Sequence, residues 1–327
     1  MLDLSIVIIT YNRCSFLDKT LSQLANSPFC ECPIWILNNA STDATLDVCK
    51  AWSSIFPCFH VITHKFNIGA DANILRAYEY GDSYYKWILC DDDELNFDCV
   101  DDLLDVIRNK RYDLIRVTTV NVPGVITAER GTCRTLGSLL EDKKSLSFFS
   151  FGFVPGIIFR SSLVNSQVKY GYLHLYTRYS QLFVLLRSFN PQTQVYTTAH
   201  VIIVRGSAES SSIFGFEIYT YWLQSLKALP TKSSVNVAIG CIFPQNGLFR
   251  LGRSILGDIK NFRPKRDILL IWKDAFLLAP TIKARLIFLL NLPFIIIPRW
   301  IIKIVYSPLT GKPFIERDIE EIIKSRE

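Results

Sequence analysis

The sequence has no Gly-x-Gly-x-x-Gly fingerprint between its first strand-like run and the helix that follows, which argues against a dinucleotide-dependent dehydrogenase. It has no Gly-x-x-x-x-Gly-Lys-Ser/Thr loop either, which argues against a P-loop phosphotransferase. Its nine cysteines contain no Cys-x-x-Cys pair and no zinc-type spacing, only the close Cys30 and Cys32, so they read as reduced thiols of a cytosolic protein. No repeat of fixed period and no low-complexity tract occurs. A charged leader followed by an apolar stretch is also missing: the first apolar run is short and stops at Thr10-Tyr11-Asn12-Arg13, so secretion is not expected. Acidic residues are absent from Lys143 to Ala208, where seven Lys and Arg stand without one carboxylate. Such a lopsided stretch suits an anionic partner.

What the chain does contain is an alternation of apolar runs and polar strand ends, over a length of 327 residues that can bury a large core. Leu4-Ser5-Ile6-Val7-Ile8-Ile9 is a β-branched run ending at Thr10, after which Phe16, Leu17, Leu21 and Leu24 fall on one helical face. Pro33-Ile34-Trp35-Ile36-Leu37 predicts a second strand, stopped by Asn38-Asn39-Ala40-Ser41-Thr42-Asp43, side chains that favour turns and caps. A third unit runs from His60 to His64, through Asn67-Ile68-Gly69 and Asn73, into a helix reaching Tyr80. A fourth strand, Tyr84 to Cys90, delivers Asp91, Asp92 and Asp93 to its end. Alternations of this length imply right-handed crossovers and a mostly parallel α/β sheet with flanking helices. The carboxyl edge of such a sheet is where its chemistry sits.

Three adjacent carboxylates repel one another, and a divalent cation bridging to an anionic substrate relieves that repulsion. The plainer alternative is a solvated turn leading into a helix near Phe97, since Asp caps helices well. Other polar landmarks have equally plain alternatives. Tyr11 and Trp87 can pack against helices, Asp71 can complement a helix dipole, and Gly69 and Asn73 can shape a loop rather than touch a ligand.

Taken in order, Ile8-Ile9-Thr10-Tyr11-Asn12-Arg13, Asn38 to Asp43, Asn67-Ile68-Gly69 with Asn73, and Trp87 to Asp93 resemble the inverting glycosyltransferases of family 2 over about the first 120 residues. The look is closest to bacterial O-antigen and capsule transferases. The resemblance implies a nucleotide-binding GT-A fold in which Thr10, Tyr11 and Arg13 hold the base and ribose of a sugar nucleotide. Asn38, Asn39, Asp43, Asn67, Gly69 and Asn73 would complete the donor site. The family usually has an acid on the nucleoside where this chain has Asn38 and Asn39, and an amide donates as well as accepts. The triplet matches a DXD-type motif for magnesium or manganese. Asp93 is the first choice of ligand; Asp91 is a ligand or a contact to ribose or sugar, and Asp92 is a second candidate. The cation would stabilise charge on the departing nucleoside diphosphate.

The resemblance also implies an acidic general base near the start of a mid-chain helix, expected here from Tyr176 to Leu186 after the strand-like Phe153 to Phe159. No carboxylate stands there. His174 can accept a proton from an acceptor hydroxyl at neutral pH, although a lone histidine is more often structural. Glu141 and Asp142 compete for the role if their loop folds over the site. Arg160 and Arg178 are either phosphate ligands or ordinary surface charges.

From Lys260 to Lys312 there are ten Lys or Arg against two Asp, a balance of +8 in a chain whose net charge is +6. Within this segment the apolar run from Leu286 to Tyr306 is broken by Pro293, Pro298, Arg299 and Lys303, and its blocks are shorter than the roughly 20 residues of a spanning helix. An interfacial element is expected, with Trp300 and Tyr306 at headgroup depth; a buried helical pair and a transmembrane hairpin are the alternatives.

The expected organisation is a nucleotide-sugar half over residues 1–120, an acceptor half over 121–230 and a C-terminal helical, membrane-associating region over 231–327. The expected activity is metal-dependent transfer of a sugar from a nucleotide-sugar donor to a lipid-linked oligosaccharide. Its expected place is the inner face of the bacterial cytoplasmic membrane, in O-antigen or capsule synthesis. A sugar nucleotidyltransferase and a non-catalytic, membrane-peripheral nucleotide-binding module are the alternatives. Nucleic acid is not expected as a partner, because the basic segment is apolar rather than interleaved with groove-reading polar residues.

Overall fold

A computed structural model describes residues 2–120, 130–143, 147–204, 216–244, 247–260, 264–298, 301 and 304. The chain divides into two compact units, residues 1–208 with 228–238, and residues 209–227 with 239–327.

The first unit holds a nine-stranded sheet. Its strands are β1 (Leu4–Thr10), β2 (Ile34–Asn38), β3 (Phe59–Thr63), β4 (Tyr85–Cys90), β5 (Glu94–Leu95), β6 (Leu114–Val120), β7 (Thr132–Thr135), β8 (Ile157–Arg160) and β9 (Gln194–Val204). Interleaved with them are α1 (Cys14–Ala25), α2 (Thr45–Trp52), α3 (Ala70–Ala77), α4 (Asp101–Asn109), α5 (Leu136–Leu140), α6 (Ser147–Gly152), α7 (Ser161–Val164), α8 (Val168–Leu173) and α9 (Ser180–Ser188). The strand order is β3-β2-β1-β4-β8-β6-β9-β5, with β7 on β9. From β3 to β4 the sheet is parallel, Ile8 of β1 lying opposite Ile36 of β2 and Leu89 of β4. β8 runs antiparallel to both β4 and β6, so the sheet is mixed beyond β4.

A parallel strand covered on both faces must be apolar almost throughout, and β1 and β4 are. Leu4, Ile6 and Ile8 pack with Leu17, Leu21 and Leu24 of α1 and with Trp87 and Leu89 of β4, all fully buried. Val7 and Ile88, one residue out of step, are buried on the opposite face. Each such Leu stabilises the fold by about 1.5–3 kcal/mol through burial. Trp87 belongs to this packing: it is buried, and its indole N–H donates to the Pro155 carbonyl at 2.7 Å.

On the opposite face, Gly171 lets α8 sit against α3 and α9. A Cβ there would lie 2.5 Å from Leu75 and 2.7 Å from Val184, so the contact requires a residue without a side chain. Two helix starts fall later than the sequence predicts. Leu175–Thr177 forms a 3-10 turn and Arg178 is left-handed with φ of 58°, so α9 begins at Ser180. The helix expected near Phe97 begins at Asp101, because Glu94 and Leu95 first pair with Val204 and Ile203 of β9.

The second unit contains α10 (Ile218–Ser225), the last residues of α11 (Lys232–Ile242), α12 (Gly247–Lys260), α13 (Lys265–Leu278) and α14 (Ile282–Ile296). Phe216, Tyr219, Phe243 and Phe288 cluster inside it, with ring centroids 5.6 Å apart for Phe243 and Phe288. Among the described residues no helix is long and apolar enough to cross a membrane. Thr281 caps α14 by accepting from the Ala284 amide at 3.1 Å, Pro293 lies within the helix, and Pro298 follows its end. Arg299, Trp300, Lys303 and Tyr306 of the expected interfacial element lie outside the described residues.

Candidate active site

The carboxyl ends of β1, β2, β3 and β4 bring together the polar clusters that the sequence spaces far apart. At the end of β4, Asp91 is buried with 3% of its surface exposed. Arg13 reaches across from the end of β1, its Nη1 lying 3.1 Å from Asp91 Oδ1 and 2.9 Å from Asp92 Oδ2. Thr20 of α1 donates its hydroxyl to the Asp91 carbonyl at 3.0 Å, fixing the backbone from which the triplet turns. Burial raises the Asp91 pKa most; the neighbouring Thr10 hydroxyl and Arg13 oppose it, Asp92 adds to it, and the outcome is about 6. The Thr10 contact is not a well-aligned hydrogen bond, since Thr10 Oγ1 and Asp91 Oδ2 are both buried without a hydrogen-bond partner among the described residues. Burial lowers the Arg13 pKa, but Asp91 and Asp92 outweigh it and leave the guanidinium more firmly protonated than usual.

Asp92 and Asp93 share a further neighbour. One carboxylate oxygen from each lies with Cys90 Sγ in a group whose atoms are all within 4.8 Å of one another. Two carboxylates at that spacing fit a divalent cation, and oxygen ligands suit magnesium or manganese. Burial and the three aspartates push the Cys90 thiol pKa well above its ordinary value. Arg13 thus engages both Asp91 and Asp92, and Asp92 also belongs, with Asp93, to the group with metal-ligand spacing.

The other loops are tied together by their own side chains. Asn39 donates from Nδ2 to Asn67 Oδ1 at 2.8 Å and accepts from the Ile68 amide at 2.9 Å. Asn67 Oδ1 also accepts from the Gly69 amide at 2.8 Å. Asn38 accepts from the Ser41 amide at 2.9 Å, and Asn73 accepts from His64 Nε2 at 2.9 Å while donating to the Leu37 carbonyl at 3.3 Å. Asn38, Asn39 and Asn73 are all buried. An amide can serve as donor and acceptor at once, which is what Asn39 does and what a carboxylate cannot do. Asn12, left-handed with φ of 50°, accepts from the Thr42 amide at 2.7 Å. Asp43 accepts from the Cys14 amide at 3.0 Å; burial raises its pKa, but the hydrogen bonds from Thr45 and Cys14 hold it below the usual value. Gly69 takes φ of 84° and ψ of 157°, a backbone region open essentially to glycine alone, with empty space where a Cβ would project. Tyr11, by contrast, is exposed.

Residues 5–161 match the sequence model of Glycosyl transferase family 2. This segment belongs to that family. The fold agrees. The crystal structure of S. aureus TarS 1-349 is 18% identical over 94% of this chain and 92% of that one, with a TM-score of 0.58. The same TarS segment in complex with UDP-GlcNAc gives 17% identity, the same coverage and a TM-score of 0.58. Mannosyltransferase PcManGT from Pyrobaculum calidifontis, in complex with GDP-Man and Mn2+, is 10% identical over 90% of this chain and 85% of that one, with a TM-score of 0.53. No curated protein matches the chain.

Beyond the first four strands of the family 2 segment, the predicted residues are placed as follows. His174 ends α8; its Nδ1 donates to the Tyr170 carbonyl at 2.8 Å and its ring stacks on Phe183 at 3.8 Å. That hydrogen bond leaves Nε2 with the lone pair. Arg178 forms an ion pair with Asp71 in the first turn of α3, next to the Asn67–Gly69 loop. Arg160 lies at the other end of the sheet, opposite Tyr85, paired with Asp113 at 3.2 Å. Glu141 accepts from the Thr231 hydroxyl at 2.7 Å and Asp142 pairs with Arg134 at 2.7 Å. Of the basic stretch, Lys144 and Arg205 lie outside the described residues.

Sequence reasoning missed Cys90, Thr20 and His64. Cys90 immediately precedes the triplet and was open to discovery. Thr20 and His64 act through contacts 71 and 9 residues away along the chain, and no local pattern marks them.

Proposed function

We propose that this chain is an inverting glycosyltransferase that transfers a sugar from a nucleotide diphosphate donor to a hydroxyl of a lipid-linked surface glycan. The observation that carries the reading is the edge of β4, where Arg13 braces Asp91 and Asp92 while Asp92 and Asp93 offer oxygens at metal-ligand spacing. The family 2 match supports glycosyl transfer. The similar TarS structure with UDP-GlcNAc and the PcManGT structure with GDP-Man and Mn2+ support a nucleotide sugar and a divalent cation.

Asp93 and Asp92 would hold the cation, which supplies Lewis-acid stabilisation to the leaving diphosphate. Exposed Tyr11 offers a ring for the base, and Thr10 and Asp91 stand at the carboxyl ends of the neighbouring strands β1 and β4, in reach of the proposed ribose site. His174 Nε2 is the proton acceptor for the attacking hydroxyl: its tautomer is set by the bond to Tyr170, and its ring is fixed on Phe183. Glu141 and Asp142 are weaker choices, since Thr231 and Arg134 already engage them. The surface-polysaccharide context and the cytoplasmic-face location belong to the same proposal.

A thermal-shift panel with UDP, GDP, CDP and dTDP, each with and without Mn2+, tests the donor site, because a ligand that binds only the native state raises its stability. Metal-dependent stabilisation by one nucleotide is the expected result. No shift with any of them overturns the assignment, and a shift without transfer identifies a non-catalytic nucleotide-binding module.

A further inference from the structure

Helix α14 has two apolar sides. Ala284, Ile287, Phe288, Asn291 and Ile295 are buried inside the second unit, where the Trp272 indole donates to the Phe288 carbonyl at 2.9 Å. At 3.6 residues per turn, Ile282, Leu286, Leu289, Pro293 and Ile296 fall on the opposite side and form a straight outward stripe. These are not grazing exposures: Ile282 is 80% accessible, Leu290 beside the stripe 62% and Ile296 69%. Lys283 and Arg285 are both exposed and project one to each flank of the stripe. No Asp or Glu occurs anywhere from Ala275 to Ile315, while Lys283, Arg285, Arg299, Lys303 and Lys312 add five positive charges.

We infer that the outward stripe of α14 is a docking face for an anionic phospholipid surface, into which it inserts lengthwise. An interfacial helix needs a continuous apolar face edged by cations, and that is the arrangement here. The helix of 15 residues is about 22 Å long, short of the roughly 30 Å hydrocarbon core, so it lies in the interface rather than spanning it. A second copy of the chain fits less well. A two-fold contact would set this stripe against itself and bring its flanking cations together with no acid of the same helix to offset them. The inference moves the expected membrane element: it centres on 282–296 and uses one face only, the other being core. It stands independently of the proposed transfer reaction, and its test involves no donor.

The experiment is flotation of the purified full chain with vesicles of phosphatidylcholine alone and of phosphatidylcholine with one third phosphatidylglycerol. Binding to the anionic vesicles is expected, weakening in 0.5 M salt. Lys283→Gln with Arg285→Gln should lower the affinity by roughly fivefold per cation removed. Leu286→Gln, Leu289→Gln and Leu290→Gln together should abolish flotation without changing the circular dichroism spectrum, since all three residues are exposed. If the native chain stays at the bottom of the gradient with both vesicles, or the triple variant floats as well as the native chain, the inference is wrong. A native dimer that the triple variant dissolves, with no vesicle binding, would assign the face to a second copy instead.

Discussion

Replacing Arg13 with Met should destabilise the protein at pH 8 and hardly at all at pH 5. Asp91 has an ordinary pKa of 3.8 and one of about 6 in the folded protein. Since the native state binds that proton more tightly than the unfolded chain, keeping Asp91 ionised costs about 3 kcal/mol above pH 6. That cost disappears as the pH falls from about 6 to about 4. Arg13, whose side chain is 25% exposed, already limits it through contacts at 3.1 and 2.9 Å. Without the guanidinium the pKa rises further, and at pH 8 the variant takes up a proton rather than bury an unpaired carboxylate. Protonating a group of pKa about 6 at pH 8 costs about 3 kcal/mol, which caps the loss. At pH 5 both proteins already hold the proton, so only the partly solvated Arg13–Asp92 contact is lost, below about 1 kcal/mol. Urea unfolding in EDTA at the two pH values measures the difference. An equal loss at both, or none at pH 8, would refute this account of the pair.

Asp93→Asn should reduce sugar transfer at least about a hundredfold, since it removes a carboxylate that would hold the cation at the leaving group; retained turnover removes Asp93 from the metal set. His174→Gln should lower kcat by roughly two orders of magnitude or more, and undiminished turnover sinks the imidazole base. Lys86 of β4 is buried and donates to the Tyr78 carbonyl, and burial, opposed by Asp82 and Glu79, draws its pKa down to about 8. The unfolded chain therefore binds more protons between pH 8 and 10.5, so native stability should gain about 3 kcal/mol across that window relative to Lys86→Met. Parallel stability curves for the two proteins would contradict the assignment.

The four parallel strands and the triplet were legible because each depends on local pattern: a β-branched run, a polar stop and a helical face spaced in turn. Tyr84 to Cys90 predicted β4 to within a residue, and Leu17, Leu21 and Leu24 predicted the face of α1 that packs beneath it. Beyond β4 the pattern failed where pairing is non-local. β8 lies between β4 and β6 although it follows β6 by some 40 residues, and β9 crosses to run beside β6. At the site, the residue types were visible but their allegiances were not. The sequence offered Asn38, Asn39 and Asn73 for a ligand, yet the fold spends their polar atoms on one another's loops. Likewise Asp71 was read as a helix-dipole residue, and the contact that gives it a further meaning, to Arg178, spans 107 positions.

The amide clasp between Asn39 and Asn67 has a consequence for how such a chain can change. An acid introduced at position 39 would keep the bond from the Ile68 amide but would present its second oxygen to the oxygen of Asn67. Asn67 could answer by turning its amide over, and would then face the Gly69 amide with a donor where an acceptor is needed. An acid cannot replace Asn39 alone without stranding a hydrogen bond. Positions 39 and 67 should therefore be inherited as a pair. An acid at position 39 calls for a second substitution at position 67, one that can donate to the acid while still accepting from the Gly69 amide.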